Sequence, residues 1–176
     1  ENKGEVLVNT NTSSHRVAAG GIFGDCVNVA EAKSNCNYAA VTAINVNTGS
    51  SSEASAGGIL GGDYYTSGNL ENWMEDNTNY GNITAQAASG LDYAGGIAGK
   101  ALHVRFYRMW NYGAISGTDL STTGSAFGVA TYSYAFANVG GSVNGTALTE
   151  DNWTTYIMGT SSTATWADGQ GSFVSL

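Results

Sequence analysis

The chain has 176 residues and a formal net charge of −8, from 14 acids against 6 bases, with only 11% of it charged. That balance excludes nucleic acid and anionic membrane surfaces as partners, because both require cationic patches. Glycine supplies 25 residues and proline none; the glycines lack the three-residue period of collagen, and the β-branched and aromatic content is too high for a disordered linker.

What remains is a chain of short strands and tight turns in which every backbone N–H can join a ladder. No apolar run approaches the ~18–20 residues of a membrane span. No signal peptide is visible at Glu1, so a secreted form is expected to be a processed one.

Two motifs alternate along the chain. The first reads Asn-x-Gly-x-Ile/Val and opens at Asn2-Lys3-Gly4-Glu5-Val6. The second, AGGIFG, starts at Ala19, with Asp25 and Cys26 behind it. Cys36 then precedes a degenerate copy of the first motif, Asn37-Tyr38-Ala39-Ala40-Val41. AGGILG starts at Ala56 and leads into Asp63 and the longest stretch between motifs, with Tyr64, Tyr65 and Trp73 in an expected loop. Asn79-Tyr80-Gly81-Asn82-Ile83 follows, then AGGIAG from Ala94, with Lys100 after it. In the next stretch, period 2 puts Phe106, Arg108 and Trp110 on one face and Arg105, Tyr107 and Met109 on the other. Asn111-Tyr112-Gly113-Ala114-Ile115, a worn block Gly124-Ser125-Ala126-Phe127-Gly128, and Asn138-Val139-Gly140-Gly141-Ser142-Val143 with one insertion complete the series.

Gly20, Gly57, Gly95 and Gly124 stand 37, 38 and 29 residues apart. A period of ~20–50 residues marks a solenoid, a propeller or an array, and about four copies would leave a short propeller ring. The expectation is therefore an all-β, right-handed, parallel β-helix-like solenoid of about four irregular coils, with constant strands and variable loops. Stacking puts Ile22, Ile59 and Ile97 in one interior column, followed by Phe23, Leu60, Ala98 and Phe127 in the next. Each motif asparagine can pair with its equivalent in the next coil or bond its own turn. The residue before it (Cys36, Thr78, Trp110 or Ala137) forms a half-buried column, which favours a free thiol at Cys36 over a disulfide with Cys26. Beyond the repeats of 1–143, residues 144–176 are expected to cap the array. Thr149 is the expected N-cap of a short helix at about 149–158, with Gly159 as its stop.

The glycine blocks and the Asn-x-Gly-x-Ile motif between them resemble the GLUG motif of bacterial surface proteins, named for a Gly-Leu-any-Gly core. The resemblance runs from Asn2 to about Val143. It implies a β-helix-like solenoid that works in display or adhesion outside the cell, at the bacterial surface or secreted, as part of a longer protein. It brings no catalytic residues.

The residues themselves offer two kinds of site. Asp25 and Asp63 follow successive glycine blocks. Together they are candidates for a Ca²⁺ site or for the paired carboxylates of a polysaccharide-cleaving β-helix enzyme; the plainer reading is a solvated turn with an Asp–Lys contact to Lys100, and no cofactor is expected. Tyr64, Tyr65, Trp73 and Tyr107 lie between motifs beside polar residues, which suits binding of a glycan or of a host or matrix protein. His15 and His103 have no nucleophile motif beside them. The expected function is thus a non-enzymatic adhesion or ligand-binding module or a spacer, with the glycan-active enzyme as the alternative.

Overall fold

In the computed structural model the described residues are 1–11, 16–26, 31–49, 52–63, 72–101, 104–107, 109–117, 129–130, 137–139, 142–143, 145–147, 149–152 and 172–173, some strand residues by main chain alone. They are all-β, with no helix among them. The first repeat lays down β1 (Val6–Thr10), β2 (Arg16–Gly20), β3 (Phe23–Cys26), β4 (Glu31–Lys33) and β5 (Cys36–Asn37). The second supplies β6 (Val41–Asn45), β7 (Glu53–Gly57), β8 (Leu60–Asp63), β9 (Asn72–Glu75) and β10 (Thr78–Asn79). In the third come β11 (Ile83–Ala87), β12 (Leu91–Gly95), β13 (Ala98–Ala101), β14 (Val104–Tyr107) and β15 (Met109–Asn111). Six more follow: β16 (Ile115–Gly117), β17 (Val129–Ala130), β18 (Ala137–Val139), β19 (Ser142–Val143), β20 (Thr146–Ala147) and β21 (Ser172–Phe173).

Each complete repeat visits five sheets in the same order. The first sheet is β1-β6-β11-β16-β19-β20, the second β12-β7-β2, the third β17-β13-β8-β3, the fourth β14-β9-β4 and the fifth β21-β18-β15-β10-β5. Every pairing is parallel except β19 with β20. Each strand thus bonds its counterpart one repeat away, which is consistent with a β-helix-like fold and unlike the antiparallel blades of a propeller.

The interior consists of columns one residue wide. Val41, Ile83 and Ile115 align in the first sheet and are buried, with Val6 half-buried at the head of their column. Ala43 and Ala85 form the neighbouring interior column, and Ala32 and Met74 do so in the fourth sheet. The expected isoleucine column exists, with Ile59 and Ile97 buried and Ile22 half-buried at its end. Phe23, Leu60 and Ala98 align beside it, while Phe127 lies outside the described residues. Val129, directly after the worn block, pairs with Lys100, directly after the third block, so the two blocks share one spacing to the third sheet.

The glycine block is a corner rather than one strand. Its first glycine ends a strand of the second sheet, and the residue after its isoleucine begins one of the third. The isoleucine sits at the bend, where Ile59 N–H donates to the Ile97 carbonyl at 2.9 Å. A second corner, between the fourth and fifth sheets, uses left-handed backbone at Ser34 (φ 56) and Asp76 (φ 55). It also resets the alternation expected around Tyr107. Met109 is fully buried and Trp110 half-buried, whereas Tyr107 shares the register of Glu75 and the exposed Lys33.

Behind that corner runs a ladder of side-chain amides. Asn2 Nδ2 donates to Asn37 Oδ1 at 2.8 Å, Asn37 Nδ2 to Asn79 Oδ1 at 2.7 Å, and Asn79 Nδ2 to Asn111 Oδ1 at 2.7 Å. The three steps span 35, 42 and 32 residues, so loops of different length return the chain to one register. Each amide also closes its own turn: Asn79 Nδ2 donates to the Gly81 carbonyl at 2.8 Å and Asn79 Oδ1 accepts from Gly81 N–H at 3.2 Å. Inter-repeat pairing and turn closure, the two roles expected as alternatives, are filled at once. Asn37, Asn79 and Asn111 are fully buried, a burial tolerable only because these bonds are made. Asn35 and Asn77 add a second amide pair at 2.9 Å.

The last motif copy differs from expectation. Trp110 pairs with Asn138 and Asn111 with Val139, while Ile115 pairs with Val143. Val139, not Asn138, therefore takes the ladder position and no insertion is needed. A valine has no amide, so the polar ladder stops at Asn111.

The two motifs meet in space. A Cβ on Gly58 would lie 2.2 Å from the Gly96 carbonyl oxygen and 2.4 Å from Asn79 Cγ; one on Gly21 would lie 2.2 Å from the Gly58 oxygen and 2.7 Å from Asn37 Cγ. The second glycine of the first two blocks is thus the space into which the amide ladder fits.

The capping helix expected at about 149–158 is not seen. Residues 149–152 form a turn in which Thr149 N–H donates to Asn152 Oδ1 at 2.8 Å and Asn152 Nδ2 to the Ala147 carbonyl at 3.1 Å. Asn152 competes there for backbone groups that a first helical turn would use. Residues 153–158 lie outside the described residues. In this region β20 folds back on β19, and β21 adds to β18 in the fifth sheet.

Replacing Asn79 by Leu orphans partners on both sides, at about 1–3 kcal/mol each. Urea unfolding should show a loss above about 3 kcal/mol, against about 1 kcal/mol for Asn2→Ala, which breaks one rung at the end of the ladder. Gly58→Ala should cost about 1–3 kcal/mol or more through overlap. Gly24→Ala, whose Cβ would meet only the Ala18 oxygen at 3.6 Å, should stay within about 0.5 kcal/mol of the parent.

Candidate functional site

The residue after each ladder asparagine points out of the fifth sheet. There Tyr38, Tyr80 and Tyr112 stack face to face. Tyr38 and Tyr80 have ring centroids 5.0 Å apart and planes at 2°; for Tyr80 and Tyr112 the values are 5.0 Å and 9°. The main chain imposes this spacing, since neighbouring strands lie ~4.8 Å apart. Consecutive Asn-to-Tyr bonds lock it: Tyr80 N–H donates to the Asn37 carbonyl at 2.7 Å and Tyr112 N–H to the Asn79 carbonyl at 2.8 Å. Tyr38 is 46% and Tyr80 47% exposed, and Tyr112 is half-buried. Lys3 holds the same motif position one repeat earlier, with Nζ 6.0 Å from the Tyr38 ring centroid, within cation–π range.

Stacking hides ring faces against one another and turns edges and hydroxyls outward. Alongside, Cys36, Thr78 and Trp110 form the half-buried column expected for them, with Cys36 a free thiol. Electrostatic interaction with Cys36 beside it, then desolvation and a side-chain hydrogen bond with Cys36, hold the Tyr38 phenol above its ordinary pKa. Burial does the same for Tyr112, with Tyr80 adding to it. On the adjoining first sheet, Thr84 Oγ1 and Ser116 Oγ lie 3.0 Å apart, which extends the hydroxyl-bearing surface.

The residues singled out from sequence fare differently. Tyr64 and Tyr65 lie outside the described residues. Trp73 belongs to strand β9 rather than to a loop, pairing in register with Glu31 and Arg105; Tyr107 ends β14 opposite Glu75. Both occupy the fourth sheet, next to the fifth. Asp25 pairs with Gly62 and Asp63 with Cys26, so the two carboxylate positions are one residue out of register. Among the described residues no group of three or more His, Cys, Asp or Glu comes together.

Lys100 pairs with Glu53 at 2.8 Å, and its Nζ stands 4.7 Å from the Tyr93 ring centroid. Burial, with Glu53 behind it, pushes the Tyr93 phenol up to about 12. Two buried oxygens in this corner, Ser52 Oγ and Glu53 Oε1, have no hydrogen-bond partner among the described residues, and residues 50 and 51 beside them lie outside these.

Comparison with known proteins gives no match to any family model, to any curated protein or to any solved structure.

The raised Tyr93 pKa means the folded state binds that proton more tightly than the unfolded chain does. Its contribution is fully present below pH ~10 and is lost as pH rises from ~10 toward 12. Denaturant midpoints measured across that range should fall, and Tyr93→Phe should flatten the fall.

Proposed function

We propose that the chain is a non-enzymatic module of an extracellular bacterial surface protein of the GLUG type. It is coiled as a right-handed β-helix-like solenoid of about four turns. It binds a glycan or a host or matrix protein on the outside of its fifth sheet, and otherwise serves as a rigid spacer. The observation that carries this reading is the exposed ladder of Tyr38, Tyr80 and Tyr112, held at 5.0 Å intervals. Large amphipathic side chains on a rigid support contribute contact area at little entropic cost, which is why tyrosine is enriched at binding hot spots. A glycan would meet hydroxyls and ring edges along the ladder and ring faces only at its ends.

The reading keeps Trp73 and Tyr107, whose strand positions lie in the adjacent sheet, and Tyr64 and Tyr65, ahead of Trp73 in sequence, as candidate binding residues. The reading invokes no cofactor. The glycan-cleaving alternative gains nothing from the register of Asp25 and Asp63.

The full chain should give a signal on an array of glycans and matrix proteins. Tyr80→Ala should weaken that signal by about 2 kcal/mol, or about thirtyfold, with an unchanged circular dichroism spectrum. Binding by Tyr80→Ala and by Trp73→Ala equal to that of the parent chain would sink the proposed face, and turnover of any arrayed polysaccharide would favour the enzyme.

A further inference from the structure

We propose that the tyrosine ladder is an oxidative cross-linking site, at which a peroxidase using hydrogen peroxide joins adjacent rings into dityrosine and so staples successive repeats together. Three features of the ladder point to it. The rings are already paired, with centroids 5.0 Å apart and planes within 2° and 9° of parallel, so phenoxyl radicals on neighbours need no diffusive search. The two most exposed rings of the stack, Tyr38 at 46% and Tyr80 at 47%, leave ring edges, where the carbons ortho to oxygen lie, open to an oxidant. The partners are far apart in sequence, 42 residues between Tyr38 and Tyr80 and 32 between Tyr80 and Tyr112, matching the amide steps behind them. Each link would therefore close a long loop, and closing long loops restricts the unfolded chain most.

The chemistry balances. Each of two phenols gives up one electron and its hydroxyl proton to become a phenoxyl radical. The two electrons and two protons reduce one hydrogen peroxide to two waters. The radicals join through one new carbon–carbon bond between ortho positions, and the two hydrogens displaced from those carbons return to the oxygens. The protein loses two hydrogen atoms per link. Cys36 beside Tyr38 competes, because its thiol can reduce a Tyr38 radical by hydrogen transfer.

The full chain is treated with a peroxidase and hydrogen peroxide, and its dityrosine fluorescence, mass and cross-linked peptides are read. The expected product is monomeric, lighter by two hydrogens per link, and maps to Tyr38–Tyr80 and Tyr80–Tyr112. Its urea midpoint lies above that of the untreated chain. Tyr80→Phe keeps the stack but should lose both links; Tyr112→Phe should lose only the second. Cys36→Ser should raise the yield of the first. Cross-links that map to other tyrosines or only between molecules, or links at the ladder that persist undiminished when the chain is first unfolded in urea, overturn the proposal. The outcome is independent of whether the same face binds a glycan.

Discussion

The buried amide ladder from Asn2 to Asn111 is the constraint on which the rest of the structure depends. A buried primary amide has two donors and an oxygen to satisfy, and leaving any of them bare costs more than a typical bond contributes. Here each inner asparagine meets that demand with two bonds inside its own turn and one to its copy in each adjacent repeat. Slippage of one repeat by a single residue would orphan amides on both sides and exchange inward for outward residues. The ladder therefore sets register, and register aligns every other column.

The neighbouring features follow from it. The second glycine of the first two blocks clears the volume the amide occupies, so the two motifs are halves of one packing unit. On the opposite side of the same short strand, the ring after each asparagine inherits the strand spacing, and three tyrosines become a stack. The interior stays narrow, with isoleucine, valine, alanine and methionine in single files, because five short strands enclose little volume per repeat. The stretches of sequence between paired strands differ in length from repeat to repeat without disturbing this register.

Much of this was legible in the order of residues, and the misses have physical causes. The alternation of motifs and their period foretold parallel stacking and the isoleucine column. The corner inside AGGIAG was not legible, because alternation cannot reveal a bend when both sides of it are buried; Asp92 to Gly99 are buried without interruption. Trp73 was placed in a loop because a three-sheet excursion of short strands leaves too few residues for a period to emerge. Asn138 was aligned by residue type, but β18 pairs by main-chain geometry, and Val139 took the position. The tyrosines were missed although the signal was present: Asn-Tyr recurs at 37–38, 79–80 and 111–112, and the variable position of a motif drew less notice than its constant ones.

By itself the sequence determined the class of architecture, because glycine, asparagine and isoleucine recurring at one long period permit little except parallel strands stacked repeat on repeat. It also determined that each motif asparagine needs a partner inside. Only the tertiary structure decided that both candidate partners are used at once, since the atoms that satisfy Asn79 come from its own turn and from residues 42 earlier and 32 later. It likewise decided that Tyr38, Tyr80 and Tyr112 form one surface, because stacking is a relation between strands, fixed to the residue by main-chain register. The one-residue offset of Asp63 against Asp25 behind their glycine blocks is already present in the sequence, and the parallel register preserves it.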